Sequence, residues 1–315
     1  MTSTGTIKVN YVTQENESAA SYRLRIALPL LNFSENIVPV LSDKPDLSAD
    51  IFVFQKHFGG NQALVDAAIL RDMGKTVVFD VAGDHFDKEL QGFYKEMCRQ
   101  AAYITVPTED MAIRVKEHTG KTAWVIPDAA SFTQQPVYLR ETGNPVLGWH
   151  GHCSNIFTLL PHIQYIKNKV IIITNNTHSI RRTPSNVDLV EWNLQTVEKA
   201  LAKADIVFIP QNDKQAATNS SPNRIVDSIR AGKFVVTNNE LLKQEFGEFI
   251  FIGDLEDGIK YYVTYPDFVK EAILAGQKYI NETYSPKVVG QLWEDFFLDI
   301  SKPMSGSGCL ETRNL

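Results

Sequence analysis

The chain has 315 residues, which is enough for two domains of ordinary size. Hydrophobic residues make up 43% and charged residues 22%, the composition of a globular protein that buries a full core. The formal charge of −6 argues against binding nucleic acid or anionic lipid through overall positive charge, and no stretch approaches the roughly 20 apolar residues of a membrane helix.

The cysteines and the chain ends indicate where the protein works. Cys98, Cys153 and Cys309 are odd in number and fit no zinc spacing, and the N-terminal residues lack the apolar core of a signal peptide. A reducing cytoplasm is therefore the expected compartment. Residues 302–315 have the composition of a linker and are predicted to be a flexible tail, so Cys309 is excluded from any chemistry.

The first half of the chain alternates short apolar runs with helical patterns. The runs predict strands at Ile7–Val12, Ile37–Leu41, Asp50–Phe54, Lys75–Phe79, Tyr103–Val106 and Ala123–Ile126. The patterns between them predict helices at Gln62–Met73, Glu89–Ala101 and Glu109–Glu117. Such alternation predicts an open, mostly parallel sheet that is covered on both faces.

A polar segment, Gln134–Pro145, interrupts the alternation and is interpreted as an interdomain linker. A second α/β series follows it. Its predicted strands are Val146–Trp149, Lys169–Ile173, Ile206–Ile209, Phe234–Thr237 and Phe249–Ile252, and its predicted helices are Leu194–Lys203, Asp267–Glu282 and Pro286–Leu298. The fold class predicted for the whole chain is α/β.

The most informative stretch runs from Ala204 to Asn239. A strand is followed by a polar loop, and Pro222 suits the first turn of a helix for which Ser220 or Ser221 is the N-cap. Gly232 can end that helix in the left-handed conformation. In such parallel units, ligands bind beyond the carboxyl ends of strands, where helix N-termini donate N–H groups to anions.

This stretch resembles the nucleotide-sugar-binding segment of the retaining "group 1" glycosyltransferases, which have the two-domain B-type fold. The resemblance rests on Asp227, Ala231-Gly232 and Val235-Val236. It implies that Asp227 hydrogen-bonds the donor ribose. The alternative for Asp227 is a solvated helix residue paired with Arg224.

The same resemblance implies a donor-binding loop around the helix start. Ser221 and Asn223 belong to that loop. Asn219 occupies the place of the first Glu in the family's E-x7-E pattern, and Ser220 occupies that of a Lys, so Lys214 or Arg224 is the candidate source of positive charge.

A glycine-containing loop, Trp149–Asn155, follows the first strand of the second series. Gly151 allows the backbone to approach a phosphate closely, and the family has such a loop facing the donor diphosphate. His150 or His152, if protonated, would offset negative charge on the leaving group. The alternatives are two surface imidazoles or a metal site, for which no third ligand is evident.

Two segments of the first half are candidates for binding the acceptor. Arg23 and Arg25 follow the first strand and suit a phosphate clamp, or else lie on a helix surface. Asp80, Asp84 and His85 follow another strand, where a carboxylate–histidine pair could orient or deprotonate an acceptor hydroxyl. The alternative is an Asp that caps a turn.

The resemblance implies two Rossmann-like domains with mostly parallel sheets that face a central cleft. Residues 1–140 form the acceptor side, residues 141–285 bind the nucleotide sugar, and helix 286–301 packs back on the first domain through Trp293. The implied activity is sugar transfer from a nucleoside-diphosphate sugar, with retention and without metal or other cofactor. A catalytically silent nucleotide- or sugar-binding protein and a nucleotide-sugar epimerase are the alternatives.

Overall fold

The computed structural model describes residues 6–16, 18–56, 58–180, 183–211 and 221–302. These residues form two parallel six-stranded sheets, each covered by helices. The predicted α/β class with two Rossmann-like sheets is confirmed. None of the described helices is long and apolar enough to cross a membrane.

The first sheet and its helices form what we call the first unit. Its strands are β1 Ile7–Val12, β2 Ile37–Ser42, β3 Ile51–Gln55, β4 Thr76–Asp80, β5 Tyr103–Val106 and β6 Trp124–Val125. Its helices are α1, which joins Ala20–Tyr22, the π-helical Arg23–Ala27 and Leu28–Leu30, then α2 Asn61–Asp72, α3 Gln91–Gln100 and α4 Glu109–Thr119. The strand order is β2-β1-β3-β4-β5-β6.

The second sheet and its helices form the second unit. Its strands are β7 Leu147–Gly151, β8 Val170–Thr174, β9 Val187–Glu191, β10 Ile206–Phe208, β11 Phe234–Thr237 and β12 Phe251–Ile252, in the order β12-β11-β10-β7-β8-β9. Its helices are α5 Ile156–Ile163, α6 Val197–Leu201, α7 Asn223–Arg230, α8 Lys243–Phe246, α9 Leu255–Thr264 and α10 Pro266–Thr283. A final helix, α11 Pro286–Ile300, follows.

Local sequence signals explain where several helices begin and end. The side chain of Thr108 accepts a hydrogen bond from Met111 N, and Gly120 ends α4 with a φ of 73°. Helix α7 differs from the prediction because it begins at Asn223, which leaves Pro222 at the cap position without a side-chain cap. Helix α6 is shorter than predicted, since the Asn193 side chain holds Gln195 N and Thr196 N in a turn before it.

Helix α11 returns to the first unit. The Trp293 side chain is buried, with its ring 6.3 Å from that of Tyr11 and 5.5 Å from that of Phe297, and the Arg25 guanidinium lies 5.6 Å from its centroid. The predicted contact of Trp293 with the first half is therefore confirmed. The last helix completes the core on one face of the first sheet.

The chain crosses between the units at two adjacent places. Ala129 N donates to Leu24 O at 3.0 Å in the first unit, and Ala130 N donates to Tyr284 O at 2.7 Å at the end of α10. The segment interpreted as a linker lies against the second unit. Gly232 there has a φ of 72°, and a Cβ on it would lie 2.9 Å from Pro136 O.

Candidate functional site

The strand order of the second sheet locates a crevice. From β7, the chain proceeds through β8 and β9 to one side and then returns to β10 on the other, so the order reverses between β7 and β10. Ligands of open parallel sheets bind at such a reversal, beyond the carboxyl ends of the strands. The residue at the end of β7 is Gly151, in the loop that the sequence singles out.

Arg224 lies directly beside Gly151. A Cβ added to Gly151 would come within 3.3 Å of Arg224 Nη1, and this nitrogen is enclosed without a hydrogen-bond partner among the described residues. The Ser221 hydroxyl is also enclosed, and it too has no partner in the part of the chain that the structure describes. Burial lowers the pKa of Arg224 to about 10, so the guanidinium is still charged at neutral pH. An enclosed cation beside a residue without a side chain is suited to holding an anion.

His150 is buried next to this position and is neutral. Burial, together with the nearby charge of Arg224, lowers its pKa to about 3, which argues against the protonated form proposed from the sequence. The Ser228 hydroxyl donates to Arg224 O at 2.6 Å. It therefore accepts from His150 Nε2, which lies 3.0 Å away. This histidine positions helix α7 against the end of β7.

His152 has a local role. Its Nδ1 accepts a hydrogen bond from Ser154 N at 3.2 Å and lies 2.8 Å from Ser154 Oγ, which caps the short turn before α5. Asn223 is half-buried at the first position of α7. Three further candidates for donor binding, Lys214, Asn219 and Ser220, lie outside the described residues.

Asp227 lies one turn after Arg224 on α7 and is buried. Its Oδ1 accepts hydrogen bonds from Ser131 N at 2.7 Å and from Phe132 N at 3.2 Å, both in the segment that crosses between the units. Burial raises its pKa to about 6, although the two backbone donors and Arg23 act in the opposite direction. Asp227 is therefore bound to the crossing segment, and it is not the solvated helix residue paired with Arg224 that was the alternative from the sequence.

Arg23 reaches from the first unit towards the second. Its Nε donates to Ser131 Oγ at 3.1 Å, and its guanidinium carbon lies 5.4 Å from the ring centroid of Trp192. Arg23 is thus in the cleft, close to Asp227 and the crossing segment.

Arg25 has a different environment from Arg23. It is fully buried, and it contacts both oxygens of Asp80, Oδ1 of Asp128 and the carbonyl of Ile126. This geometry makes Arg25 part of the fold and does not support the phosphate clamp proposed from the sequence.

Asp80 is equally enclosed. Besides three hydrogen bonds from Nε and Nη2 of Arg25, its carboxylate accepts hydrogen bonds from Thr105 Oγ1 at 2.9 Å and from Gln55 Nε2 at 3.0 Å. With four donors around it, Asp80 ties β3, β4 and β5 to α1. Asp80 therefore has a structural role, in contrast to the catalytic role suggested from the sequence.

Asp84 and His85 lie in the loop after β4. The Asp84 carboxylate accepts from Phe86 N at 3.1 Å and from Arg114 Nε at 3.2 Å. The His85 ring packs against Tyr94 at 4.9 Å. Asp84 thus binds an arginine of α4, and His85 lies at the cleft edge as a half-buried group.

Three residues of the cleft were missed from the sequence: Ser131, Trp192 and Lys56. Ser131 lies in the loop between β6 and β7, and Trp192 directly follows β9. The position of both residues in space depends on the order of the strands in the sheets. Lys56 directly follows β3 and has a φ of 54°. Polar residues just after an apolar strand are the signal that could have identified it. No group of three His, Cys, Asp or Glu side chains able to hold a metal occurs among the described residues.

Comparisons with known proteins identify the fold. No protein-family model and no curated protein sequence matches the chain. Among solved structures, Anabaena HepE in complex with UDP-glucose has a TM-score of 0.63 at 12% identity, covering 93% of this chain and 100% of its own. Sucrose-phosphate synthase from Thermosynechococcus elongatus has a TM-score of 0.65 at 8% identity, covering 94% and 99%.

A third solved structure has a different described activity. A candidate UDP-N-acetylglucosamine 2-epimerase from Listeria monocytogenes has a TM-score of 0.55 at 12% identity, covering 95% of this chain and 99% of its own. Identities this low show the fold, which is the B-type glycosyltransferase fold that the sequence predicts. Membership of the "group 1" family stays a prediction.

Proposed function

We propose that the protein is a glycosyltransferase that moves a sugar from a nucleoside-diphosphate sugar to an acceptor, with retention of configuration and without a metal ion. The observation that carries the proposal is the enclosed Nη1 of Arg224 beside Gly151, which has no hydrogen-bond partner within residues 6–16, 18–56, 58–180, 183–211 and 221–302. A diphosphate placed there would give this cation the partner that it lacks. The position is also the strand-order reversal of the second sheet.

The second unit supplies candidate groups for the diphosphate and the ribose of such a donor. Arg224 would neutralise charge on the leaving diphosphate as the bond between the sugar and the phosphate oxygen breaks. Asp227 would accept hydrogen bonds from ribose hydroxyls through Oδ2, because its two backbone donors are bound to Oδ1. An arginine at the leaving group can do the work for which other transferases use a divalent cation.

The acceptor would enter from the first unit. Its hydroxyl oxygen forms the new bond to the sugar carbon, and the bond to the diphosphate breaks on the same face of the sugar when configuration is retained. The released diphosphate oxygen is the nearest acceptor for the hydroxyl proton in such a geometry. His85 at the cleft edge is the first-unit candidate for orienting the acceptor hydroxyl.

Among nucleotide sugars, those of UDP are the first to test, since HepE has been solved with UDP-glucose. The experiment incubates the protein with UDP-, GDP-, ADP- and CMP-sugars, with and without candidate acceptors, and follows binding, nucleotide release and the configuration of the product. EDTA should leave turnover unchanged.

The same experiment separates the two alternatives. An epimerase, which the likeness to the Listeria structure favours, would convert UDP-N-acetylglucosamine without any acceptor. A silent binding protein would bind a nucleotide sugar and turn over none.

Matched variants assign the site. Arg224→Met should weaken UDP binding by about 1.5–3 kcal/mol, the range for hydrogen bonds to charged groups. Arg99→Met is the control, because Arg99 lies on the surface of the first unit, paired with Glu96. Equal UDP affinity of the two variants, or no binding of any nucleotide sugar by the wild type, would contradict the proposal.

A further inference from the structure

The first sheet has its own reversal of strand order. From β1, the chain passes to β2 on one side and then to β3 on the other, so the reversal lies between β1 and β3. By the same rule as in the second sheet, a ligand of the first unit belongs beyond the carboxyl ends of these two strands. Lys56 is the first residue after β3. Its N–H donates to Asp80 O at 3.1 Å, which fixes the backbone of Lys56 beside the end of β4.

The backbone of Lys56 is in the left-handed region. Its φ of 54° is one of two positive values among the described residues other than glycine. Lysine gains nothing from this conformation, because it lacks the short polar side chain with which Asn or Asp stabilises it. Strained residues of this kind persist mainly where the position of the side chain matters for binding or catalysis.

The Lys56 side chain is half-buried, and its ammonium has no direct partner among the residues that the structure describes. Burial lowers its pKa, while the charges of Asp128 and Asp80 raise it without offsetting burial. Both carboxylates are bonded to Arg25, and the Lys56 ammonium makes no hydrogen bond or ion pair with any residue in the described part of the chain. A partly desolvated cation without a contact partner at a ligand crevice is suited to an anionic ligand.

We propose that Lys56 binds an anionic group of the acceptor, a phosphate or a carboxylate, at the strand-order reversal of the first sheet. The acceptor role rests on the function proposed above, whereas anion binding by Lys56 does not. The anion would complete the coordination of an ammonium that the fold keeps free of the neighbouring carboxylates. Lys56 would then select acceptors by charge and hold their hydroxyl towards the second unit.

The test uses three probes with one sugar skeleton: glucose 6-phosphate, glucuronate and glucose. Calorimetry measures their binding to the full-length protein with and without saturating UDP, so that any binding in the second unit is recognised by its loss with UDP. We expect one or both anions to bind in the presence of UDP, at least about tenfold more tightly than glucose. The tighter of the two anions identifies the group.

Four variants assign the effect to the side chain. Lys56→Met should weaken anion binding about tenfold or more, as expected for the loss of one charged hydrogen bond. Lys56→Arg should retain most of it. Lys56→Gly also relieves the left-handed backbone, so it should bind as weakly as Lys56→Met without a lower melting temperature. Lys116→Met, at an exposed lysine of α4, is the control.

Several results would overturn the proposal. They are a wild type that binds neither anion in the presence of UDP, equal binding of glucose and the anions, and unchanged anion binding in Lys56→Met. If Lys56→Met lowers only the melting temperature, then Lys56 merely balances Asp80 and Asp128. Failure of the wild type to bind UDP or its sugars would instead contradict the proposed function, and the titrations without UDP would still decide whether Lys56 binds an anion.

Discussion

The two units use arginine side chains in opposite ways. Arg25, in the first unit, is enclosed by two carboxylates and a carbonyl, so its charge is neutralised within the fold. Arg224, in the second unit, has an enclosed nitrogen with no hydrogen-bond partner in the described ranges. Both residues lie near the carboxyl ends of strands in similar sheets. The comparison teaches that residue type and place do not separate the two arginines, whereas their hydrogen bonds do, which is why Arg224 and not Arg25 is proposed to bind a ligand.

The largest effect should follow from breaking the arginine network of the first unit. Arg25→Met leaves Asp80 and Asp128 buried without their cation, and such changes cost about 3–5 kcal/mol of unfolding free energy. Urea denaturation measures the loss. The double variant Arg25→Met with Asp80→Leu should lose less than the sum of the single variants, because fewer unpaired charges remain. Additive losses would mean that the two side chains are not coupled.

A loss of similar size should follow from truncating the ring beside Arg25. Trp293→Ala removes a fully buried side chain, for which about 3–5 kcal/mol is typical. Trp293→Phe is the matched control, since it keeps a ring and removes an indole N–H that has no hydrogen-bond partner among the described residues. Denaturation midpoints should rank wild type, Phe and Ala in that order. A stable Ala variant would show that α11 is not needed for the first unit.

A smaller, pH-dependent effect is expected at Asp227. Its pKa is about 6 in the folded protein against 3.8 without the fold, so the folded state binds the proton more tightly. Stability therefore falls as pH rises from about 4 to about 6 and is constant above, with a total change of up to about 3 kcal/mol. Arg23 and Arg230 are the charged groups that face this carboxylate.

Asp227→Asn isolates this contribution. The variant keeps an oxygen for Ser131 N and Phe132 N but has no charge to bury, so its stability relative to wild type should increase between pH 4 and pH 7. Urea denaturation without nucleotide, at several pH values, gives the difference. Parallel curves for the two proteins would contradict the raised pKa. Donor affinity should fall in the same variant, since Asn cannot offer a carboxylate to ribose.

The smallest change in stability is expected for Arg224→Met. Nη1 of this arginine makes no hydrogen bond to any described residue, and burial already disfavours the charge, so the loss of the side chain should alter the unfolding free energy by less than about 1 kcal/mol. This contrasts directly with Arg25→Met. A loss as large as that of Arg25→Met would show that both arginines stabilise the fold, and it would contradict the contrast drawn between them.

Much of the fold could be predicted because most strands are continuous apolar runs. The run Ile7–Val12 was predicted with the bounds that the structure shows. Strand β9 was missed because it lies at the edge of its sheet, with exposed Asp188 and Glu191 in a short segment. Helix α9 was missed too, and it contains Gly258, where a Cβ would lie 2.6 Å from a methyl of Val236. The glycine that weakens the helical pattern is needed for packing.

The site was harder to predict than the fold, because its chemistry depends on distant partners. Arg25 and Asp80 are separated by 55 positions, and Ser131 and Asp227 by 96. Nothing local distinguishes Arg25 from Arg23, yet one is enclosed and the other lies in the cleft. Lys56 was overlooked for the same reason, since only the strand order shows that β3 ends at the reversal. The family resemblance pointed to the α7 segment as the candidate for donor binding. It did not show which side chains of α7 already hydrogen-bond other parts of the protein.

Helix α11 also fixes when the first unit can be completed during synthesis. Strand β6 ends at Val125, but the helix that covers Tyr11 and its neighbours begins at Pro286. At translation rates of about 5–20 residues per second, the first sheet therefore waits roughly 10–30 s with one apolar face covered only in part, by α1. The second unit has all its strands before that helix leaves the ribosome. The half made first is thus finished last, and nascent chains stopped before α11 should be the ones that aggregate or recruit chaperones.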